Sequence, residues 1–376
     1  MSQRIPLSAP DITEAEIEAV TQVLRTNTLS LGPKLEEFEA AFATYHEIPN
    51  AIAVSSGTAA LHLAIRALKL GLGDEVIVPS FTFIAVANTV CFEQATPVFA
   101  DIDPVTLNLD PVCVEAAITP RTRALIIVHN FGVPADMDSL MAIARRHNLA
   151  IIEDACEAIG ATYSNQLVGT FGDIATFAFY PNKQITTGEG GMILCRDEQL
   201  ASRMRAMRNQ GRYPSSDWLQ HQELGYNYRL SEIACALGIV QLSRLKNILA
   251  QRAAVAARYD ALLAPFPFIE RPPLQLPNLK ISWFVYVLRF AENLPTGTRD
   301  RLMQSLQNAG IGCGRYFAPI HQQPAYQHHP SALAAHLPVT ESIAARTLAL
   351  PFYNWLSEGD AHQVVAALSQ AIQHPA

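Results

Sequence analysis

The chain has 376 residues, of which 49% are apolar, and this favours one large folded domain with a smaller second one. A formal net charge of −7 gives no basic surface for nucleic acid, so we expect no nucleic-acid partner. The six cysteines are scattered without a CxxC pair, which indicates reduced thiols in a cytosolic protein and predicts neither disulfides nor a metal site.

The N-terminal region predicts two helices. The residues TEAE at 13–16 have the pattern of a capping box, and Ile17, Val20 and Leu24 follow at helical spacing. A second helix is expected near Leu35–Tyr45. The first residues lack the apolar core of a signal peptide, and no apolar run reaches the ~20 residues of a membrane span. We therefore expect a cytoplasmic protein with no membrane partner.

Short apolar runs then alternate with helical stretches. They predict strands at 51–54, 75–79, 97–103, 124–129 and 149–154, followed by two more at 175–180 and 191–195. Strands separated by helices imply crossover connections and a buried, mostly parallel sheet, so the expected fold class is α/β. We expect this large domain to span residues 1–250.

A proline-dense segment at 265–280 follows a helical stretch around Leu230–Tyr259 and marks a junction. Beyond it, the pattern predicts a strand at 281–290, a helix ending at Gly310 and a terminal helix at 361–372. These elements predict a smaller α+β domain over residues 251–376.

A turn of small residues is a candidate phosphate site. Ser56, Gly57 and Thr58 lie between the strand at 51–54 and an amphipathic helical stretch. Free N–H groups at a helix N-terminus attract anions, and glycine lets the backbone come close to them. An ordinary strand-to-helix turn is the alternative interpretation.

Two further positions carry chemistry. Asp154 ends an apolar strand, at the edge where α/β sheets bind ligands, and its carboxylate could pair with a cationic ring nitrogen or simply cap the next turn. Lys183 lies in a loop rich in glycine and threonine between two strands. A partly buried lysine amine can form a Schiff base, although most lysines are solvated surface charges.

Five segments in a fixed order resemble one known family. They are SSGTAALHLA at 55–64, VPSFTFIAVANTV at 78–90, IEDACEAIGA at 152–161, FGDIATFAFYPNKQITTGEGGMI at 171–193 and GYNYRLSEIACALG at 225–238. With them the chain resembles the DegT/DnrJ/EryC1/StrS sugar aminotransferases, which are fold-type I enzymes of pyridoxal 5′-phosphate (PLP). The resemblance implies a large, mostly parallel mixed-sheet domain, a smaller C-terminal α+β domain, and PLP cycling with pyridoxamine 5′-phosphate (PMP).

The resemblance also implies roles for individual residues. Lys183 would form the internal aldimine, Gly57 and Thr58 would bind the cofactor phosphate, and Asp154 would face the pyridine nitrogen. An aromatic ring would cover one face of the cofactor, at a position that matches Phe83. Phe81 is close enough to compete for that place, and both rings could equally belong to the core.

The family's active site lies at a homodimer interface, and the segment matching 225–229 reaches the partner's cofactor. The resemblance therefore implies Asn227 as a phosphate contact in trans. Arg229 is either a nearby charge or a structural salt-bridge residue. In the C-terminal domain, Arg315, Tyr316 and His321 match a segment that lines the sugar site, and a buried, hydrogen-bonded histidine is the alternative for His321.

Two positions depart from the family's usual pattern. Glu157 stands where many relatives carry Gln or His near the cofactor's phenolic oxygen, and some relatives that act on the sugar C4 position also carry Glu. Ala178 stands five residues before Lys183, where the family commonly has a phosphate-binding Ser. The missing hydrogen bond to a charged group is worth about 1.5–3 kcal/mol.

The implied reaction is ping-pong transamination, in which L-glutamate donates an amino group that a nucleotide-linked keto sugar accepts. The combination of EDACEA with NKQITTGEGG looks most like the C4 aminotransferases, which act on a 4-keto-6-deoxyhexose. A C3 aminotransferase is the close alternative. A PLP-dependent sugar dehydratase is disfavoured because the known type has histidine at the position of Lys183, and a non-enzymatic regulator is disfavoured by the retained lysine, acid and phosphate turn.

Overall fold

The computed structural model of the chain describes residues 5–213, 217 and 219–373. The helices are α1 (Glu14–Leu24), α2 (Pro33–His46), α3 (Gly57–Ala67), α4 (Ala85–Phe92), α5 (Pro111–Ala116), α6 (Met137–His147), α7 (Glu198–Arg208), α8 (Glu232–Leu263), α9 (Thr298–Asn308), α10 (Pro330–Leu333), α11 (Pro338–Arg346) and α12 (Glu358–Gln373). The strands are β1 (Asn50–Val54), β2 (Glu75–Pro79), β3 (Thr96–Ala100), β4 (Thr122–Val128), β5 (Ala150–Asp154), β6 (Thr162–Tyr163), β7 (Gln166–Leu167), β8 (Ile174–Ala178), β9 (Gly191–Cys195), β10 (Ile269–Glu270), β11 (Leu279–Lys280), β12 (Tyr286–Phe290) and β13 (Thr347–Leu350).

A seven-stranded sheet forms the centre of the fold, in the order β1-β9-β8-β5-β4-β2-β3. The strands from β3 to β8 pair in parallel, while β9 runs antiparallel to both β8 and β1. This confirms the α/β class and the mostly parallel mixed sheet expected from the sequence. Parallel pairing also brings the carboxyl ends of β4, β5 and β8 to one edge of the sheet.

Helices cover both faces of this sheet, so its strands are buried on both sides. Ile52 and Ile193 pack on one face in a core that includes α3, α4 and α7. Their neighbours Ala53 and Met192 pack on the other face, with residues of α2 and α8. Successive side chains on a strand point to opposite faces, so the near-continuous apolar runs in the sequence follow directly from this two-sided burial.

A second apolar core lies in the C-terminal part of the chain. The three-stranded sheet β10-β12-β13 packs with α9 and α12, and Ile5 joins the same cluster from the N-terminal side. Helix α8 contributes Ile248 to the first core and Tyr259 to the second. The boundary proposed near residue 250 therefore falls inside α8, and the division into two domains at that point remains a prediction.

The strand expected at 281–290 is regular only from Tyr286 onward. Before it, the carbonyl oxygens of Trp283 and Phe284 accept hydrogen bonds from the guanidinium of Arg252 rather than from a neighbouring strand. A side chain thus replaces the ladder partner of this segment, which no local pattern in the sequence reveals.

Within the described part of the chain, α8 is the one helix long and apolar enough to cross a membrane by length and composition. In its most apolar window, 44% of the residues are buried inside the protein. The core helix of a soluble protein has the same features, and α8 packs against both α1 and α2.

The capping box at the start of α1 forms as predicted and extends into a buried polar cluster. The carboxylate of Glu16 accepts hydrogen bonds from the backbone N–H of Thr13 at 2.8 Å, from Gln241 Nε2 at 2.8 Å and from Arg244 Nη1 at 2.6 Å. Burial alone would raise the pKa of Glu16, but the hydrogen bonds from Thr13, Arg244 and Gln241 outweigh it and lower the pKa to about 2. The cluster therefore needs the ionised carboxylate.

We expect Glu16→Gln to lower the free energy of unfolding at pH 7 by about 1–3 kcal/mol, because it removes a charged hydrogen-bond acceptor from a buried cluster. A carboxyl whose folded pKa is depressed stabilises the protein above its unfolded pKa and loses that contribution as the pH falls towards 2. The difference between variant and wild type, measured by denaturant unfolding, should thus shrink as the pH falls from about 5 to 3. A difference that stays constant over this range would contradict the explanation.

Candidate active site

The turn at residues 55–58 connects β1 to α3 at the carboxyl edge of the sheet. Ser56 is the N-cap of α3, and its Oγ accepts a hydrogen bond from Ala59 N at 3.0 Å. The N–H groups of Gly57 and Thr58 are in the first helical turn, where the helix itself supplies no acceptor. This end of α3 is therefore suited to bind an anion.

Gly57 is required by close packing rather than by its backbone angles. A Cβ atom at this position would lie 2.7 Å from the Cβ of Ala178 and 3.1 Å from the Sγ of Cys156. The start of α3 is thus pressed against the end of β8 and against the loop after β5. This brings together three segments that are far apart in the sequence.

The two carboxylates at the end of β5 have different surroundings. Glu153 is fully buried and accepts hydrogen bonds from the backbone N–H groups of Gly169, Phe171 and Gly172, at 2.6–2.7 Å. Asp154 lies at the carboxyl edge with a 6% exposed side chain and accepts a bond from Cys156 N at 3.1 Å. Glu153 therefore holds a loop together, whereas Asp154 lies at the edge where parallel sheets bind ligands.

Lys183 lies in the loop between β8 and β9, and its Nζ reaches the same edge. The Nζ donates a hydrogen bond to Glu157 Oε1 at 3.3 Å and lies 4.0 Å from the centre of the Phe284 ring. Its side chain is 14% exposed, so it is neither a solvated surface lysine nor completely enclosed. Burial raises the pKa of the nearby Cys156 thiol, and the charge of Lys183 counteracts part of that rise.

Glu157 forms the wall beside Lys183. Its Oε2 accepts a hydrogen bond from Phe131 N at 2.9 Å, and its side chain is buried. Burial raises the pKa of Glu157 above its ordinary value, and the nearby charge of Lys183 counteracts part of that increase. Lys183 and the N–H of Phe131 are thus the partners of a carboxylate that water cannot solvate.

Phe81 and Phe83, which the sequence left as alternatives, have opposite environments. Phe81 is fully buried and packs edge-on against Phe131 and Phe317, with ring centroids 6.0 and 6.1 Å apart. Phe83 is 60% exposed. A large aromatic ring with this exposure is available to cover a ligand. Phe83 is therefore the better candidate for stacking on the cofactor.

The segment at 225–230 lies beside the phosphate turn. Ser55 N donates a hydrogen bond to Tyr228 O at 2.9 Å, and Val54 forms a bridge with Arg229. Arg229 Nη1 also donates to Asn209 Oδ1 at 3.0 Å, while Asn227 is exposed. The structure thus gives Arg229 an anchoring contact, and the role of Asn227 in a partner's site remains a prediction.

Of the three residues expected at the sugar site, Tyr316 contacts the sequence neighbour of Lys183. Its hydroxyl accepts a hydrogen bond from Asn182 Nδ2 at 3.4 Å. Arg315 instead pairs with Asp300 at 2.9 Å, in helix α9. His321 is buried, with Nδ1 2.7 Å from Ser80 Oγ and Nε2 3.2 Å from Glu341 Oε1. His321 thus has the contacts of the hydrogen-bonded alternative, and sugar binding by these residues remains a prediction.

Two contacts at the site were not expected from the sequence. Phe284 belongs to an apolar run that predicts a strand, and nothing in that run indicates a contact with Lys183. Gln184 follows the lysine, and its Nε2 donates to Glu157 O at 2.6 Å and to Ser282 O at 2.9 Å. The contact of Lys183 with Phe284 and that of Gln184 with Ser282 join segments about 100 residues apart, so only the three-dimensional structure reveals them.

The residues at this edge fit PLP in chemical type. The N-terminus of α3 suits the phosphate, the buried carboxylate of Asp154 suits a protonated pyridine nitrogen, and the amine of Lys183 suits the aldehyde. Asn182 adds a buried Oδ1 atom that lacks a hydrogen-bond partner within the described chain. The N-terminus of α3 would thus hold the phosphate, Asp154 the ring and Lys183 the aldehyde.

We expect Ala178→Ser to tighten PLP binding about tenfold, because a hydroxyl here would lie beside Gly57 and give the phosphate one more donor. The dissociation constant can be measured by fluorescence titration of the cofactor-free protein. Ala175→Ser, in the same strand but pointing into the core, serves as a control that should not tighten binding. Unchanged affinity in Ala178→Ser would show that the phosphate does not lie against this strand.

Comparisons with known proteins cover nearly the whole chain. The sequence profile of the DegT/DnrJ/EryC1/StrS aminotransferase family matches residues 10–369. GDP-perosamine synthase of Caulobacter vibrioides is 43% identical over 371 residues, or 98% of each protein. The structure of S. venezuelae DesV has a TM-score of 0.87 and 40% identity, covering 96% of this chain and 94% of its own. Streptococcus pneumoniae Spr1654, solved in PLP and PMP forms, has a TM-score of 0.92 and 28% identity over 98% of both chains.

Proposed function

The chain belongs to the DegT/DnrJ/EryC1/StrS aminotransferase family and is a PLP-dependent sugar aminotransferase that acts on a nucleotide sugar; from this we propose that it aminates C4 of a nucleotide-linked 4-keto-6-deoxyhexose, with L-glutamate as the donor. The full-length 43% identity to GDP-perosamine synthase carries the proposal. Glu157 beside Lys183 supports it, because some relatives that act on C4 also carry Glu there. The product would be a 4-amino sugar for a surface polysaccharide or glycan.

The chain's own residues divide the work of binding and proton transfer. When bound, PLP supplies an aldehyde that takes up the donor's amino group and an electron-withdrawing ring that acidifies the adjacent C–H bond. The first turn of α3 would bind the phosphate, and the carboxylate of Asp154 would favour a proton on the ring nitrogen. Phe83 would cover one face of the ring and exclude water.

Lys183 carries the proton that the reaction moves. Its Nζ lies 3.3 Å from Oε1 of the buried Glu157 carboxylate. As a free amine, Nζ can accept a proton from the substrate carbon and return it to the cofactor carbon, which is general base followed by general acid catalysis. The 14% exposure of the side chain limits exchange of that proton with solvent.

We further propose that the active form is a homodimer. Asn227 is exposed next to the phosphate turn, and Phe83 is a large exposed aromatic residue. A second copy that covered this surface would bury the aromatic ring and let Asn227 reach the neighbouring phosphate. Sedimentation equilibrium should therefore give twice the mass of one chain, and a monomer that is fully active would contradict this proposal.

A panel assay tests the substrate. The purified protein is first converted with L-glutamate to its PMP form, which the loss of the PLP absorption band reports. Matched 3-keto and 4-keto deoxyhexoses carried on GDP, UDP, dTDP and CDP are then added separately, and return of the PLP band is recorded. We expect rapid return with one or more 4-keto sugars. Return only with 3-keto sugars would assign C3 amination instead, and no conversion by L-glutamate would refute the donor.

A further inference from the structure

An aromatic ring and a carboxylate enclose the amine of Lys183 from two sides. The ring of Phe284 lies 4.0 Å from Nζ, and Glu157 Oε1 lies 3.3 Å from it. Phe284 is 3% exposed and Glu157 is 5% exposed, so water has little access to either wall. The face of an aromatic ring and a carboxylate both favour an ammonium ion over a neutral amine, and more so when they are desolvated.

The backbone that carries Phe284 is held by a buried cation. Arg252 donates from Nη2 to Phe284 O at 2.6 Å and from Nε to Trp283 O at 2.7 Å. Its third contact is the amide oxygen of Asn354 at 3.2 Å. Arg252 is only 2% exposed, and burial lowers its pKa to about 9. Burying a guanidinium costs free energy unless its N–H groups are hydrogen-bonded. The hydrogen bonds from Arg252 therefore hold the backbone of Trp283 and Phe284 in a fixed position.

The residue after the lysine fastens the two walls to each other. Gln184 Nε2 donates to Glu157 O at 2.6 Å, to Ser282 O at 2.9 Å and to Ser282 Oγ at 3.0 Å. One side chain thus joins the loop of Glu157 to the segment of Phe284, directly beside Lys183. The spacing between ring and carboxylate is therefore set by hydrogen bonds and does not depend on the lysine itself.

We propose that Phe284 and Glu157 form the resting site of the free Lys183 side chain, with Phe284 as a positioning residue that no motif of the sequence marks. This rests on the proposed function, in which Lys183 Nζ must be alternately bound to the cofactor and free. The resting site holds the free nitrogen at the reacting edge instead of letting a four-carbon side chain rotate into solvent.

Other ionisable groups face the same space, and their effect is common to all variants of Phe284. Asp154 lies at the end of β5, and Cys156 follows it in the loop that also carries Glu157. Tyr316 approaches from the segment after α9, and burial raises the pKa of its phenol, with Glu157 adding to the rise. A change confined to the Phe284 ring therefore isolates the contribution of that ring.

Fluorinated phenylalanines at position 284 test the proposal, because each added fluorine weakens the negative face of the ring with little change in its size. The full-length, cofactor-free protein is mixed with PLP at one fixed pH, and the rate of covalent attachment is followed by absorbance. Weakening the ring removes part of the attraction that holds Nζ at the reacting edge. We therefore expect covalent attachment to slow by about 3- to 10-fold across the series.

Two controls separate the outcomes. The same fluorinated residues at Phe290, a 2% exposed ring in the second core, should leave the rate of attachment unchanged. Borohydride trapping and peptide mapping should place the cofactor on Lys183 in every variant. Attachment at Lys183 at an unchanged rate throughout the Phe284 series would overturn the resting site alone. Absence of attachment at Lys183 in the wild type would overturn the proposed function.

Discussion

Replacing Lys183 by alanine is expected to reduce transamination by at least about 10⁴-fold, because the change removes the side chain that we propose as both nucleophile and proton carrier. Its Nζ is the amine placed between Glu157 and Phe284 at the carboxyl edge of the sheet. The variant should still bind PLP through α3 and Asp154, but without a covalent bond. The measurement is turnover with L-glutamate and the sugar identified by the panel, together with the mass of the borohydride-treated protein.

Two further lysine variants make this result specific. Lys183→Arg keeps a positive charge for Glu157 but has no amine that condenses with an aldehyde, so it should be as inactive as the alanine variant. Lys246→Ala changes an exposed lysine of α8 and should retain wild-type turnover. If Lys183→Ala kept activity within about tenfold of the wild type, Lys183 could not be the catalytic base proposed here.

The central sheet could be predicted from the sequence because each strand carries its own local signal. The runs at 51–54, 75–79 and 191–195 are apolar, short and bounded by turn residues, and each became a strand within one residue of the expected limits. The prediction was less accurate at 281–290, where the backbone of Trp283 and Phe284 bonds to Arg252. Hydrogen bonds from Arg252, about 30 residues away in the sequence, thus replace strand pairing although the apolar pattern is intact.

The candidate site shows the same division between local and long-range information. Lys183 and Asp154 stand in segments whose residue order is distinctive, so the sequence pattern and the resemblance together identified them as candidates. The choice between Phe81 and Phe83 needed their exposures, because both lie in one aromatic motif. The contact of Phe284 with Lys183 joins two parts of the chain that carry no common pattern, so it required the structure.

The second large effect is expected at Asp154. We predict that Asp154→Asn lowers kcat by about 10²–10³-fold, because a neutral amide cannot compensate the charge of a protonated pyridine nitrogen in a buried site. The cofactor should remain covalently attached, since Lys183 is unchanged. Single-turnover reaction with L-glutamate, followed by absorbance, separates this slower proton transfer from any loss of cofactor.

Glu153 offers the matched control, because it precedes Asp154 in the same strand and carries the same charge. Its carboxylate accepts three backbone N–H bonds and contacts His129 Nε2 at 3.2 Å, on the opposite face of the strand from Asp154. Glu153→Gln should therefore lower the free energy of unfolding by about 2–3 kcal/mol and leave kcat of the folded protein nearly unchanged. If both variants lost kcat equally, the effect would belong to the integrity of β5. A loss of kcat confined to Asp154→Asn, with a loss of stability confined to Glu153→Gln, would assign the cofactor charge to Asp154 alone.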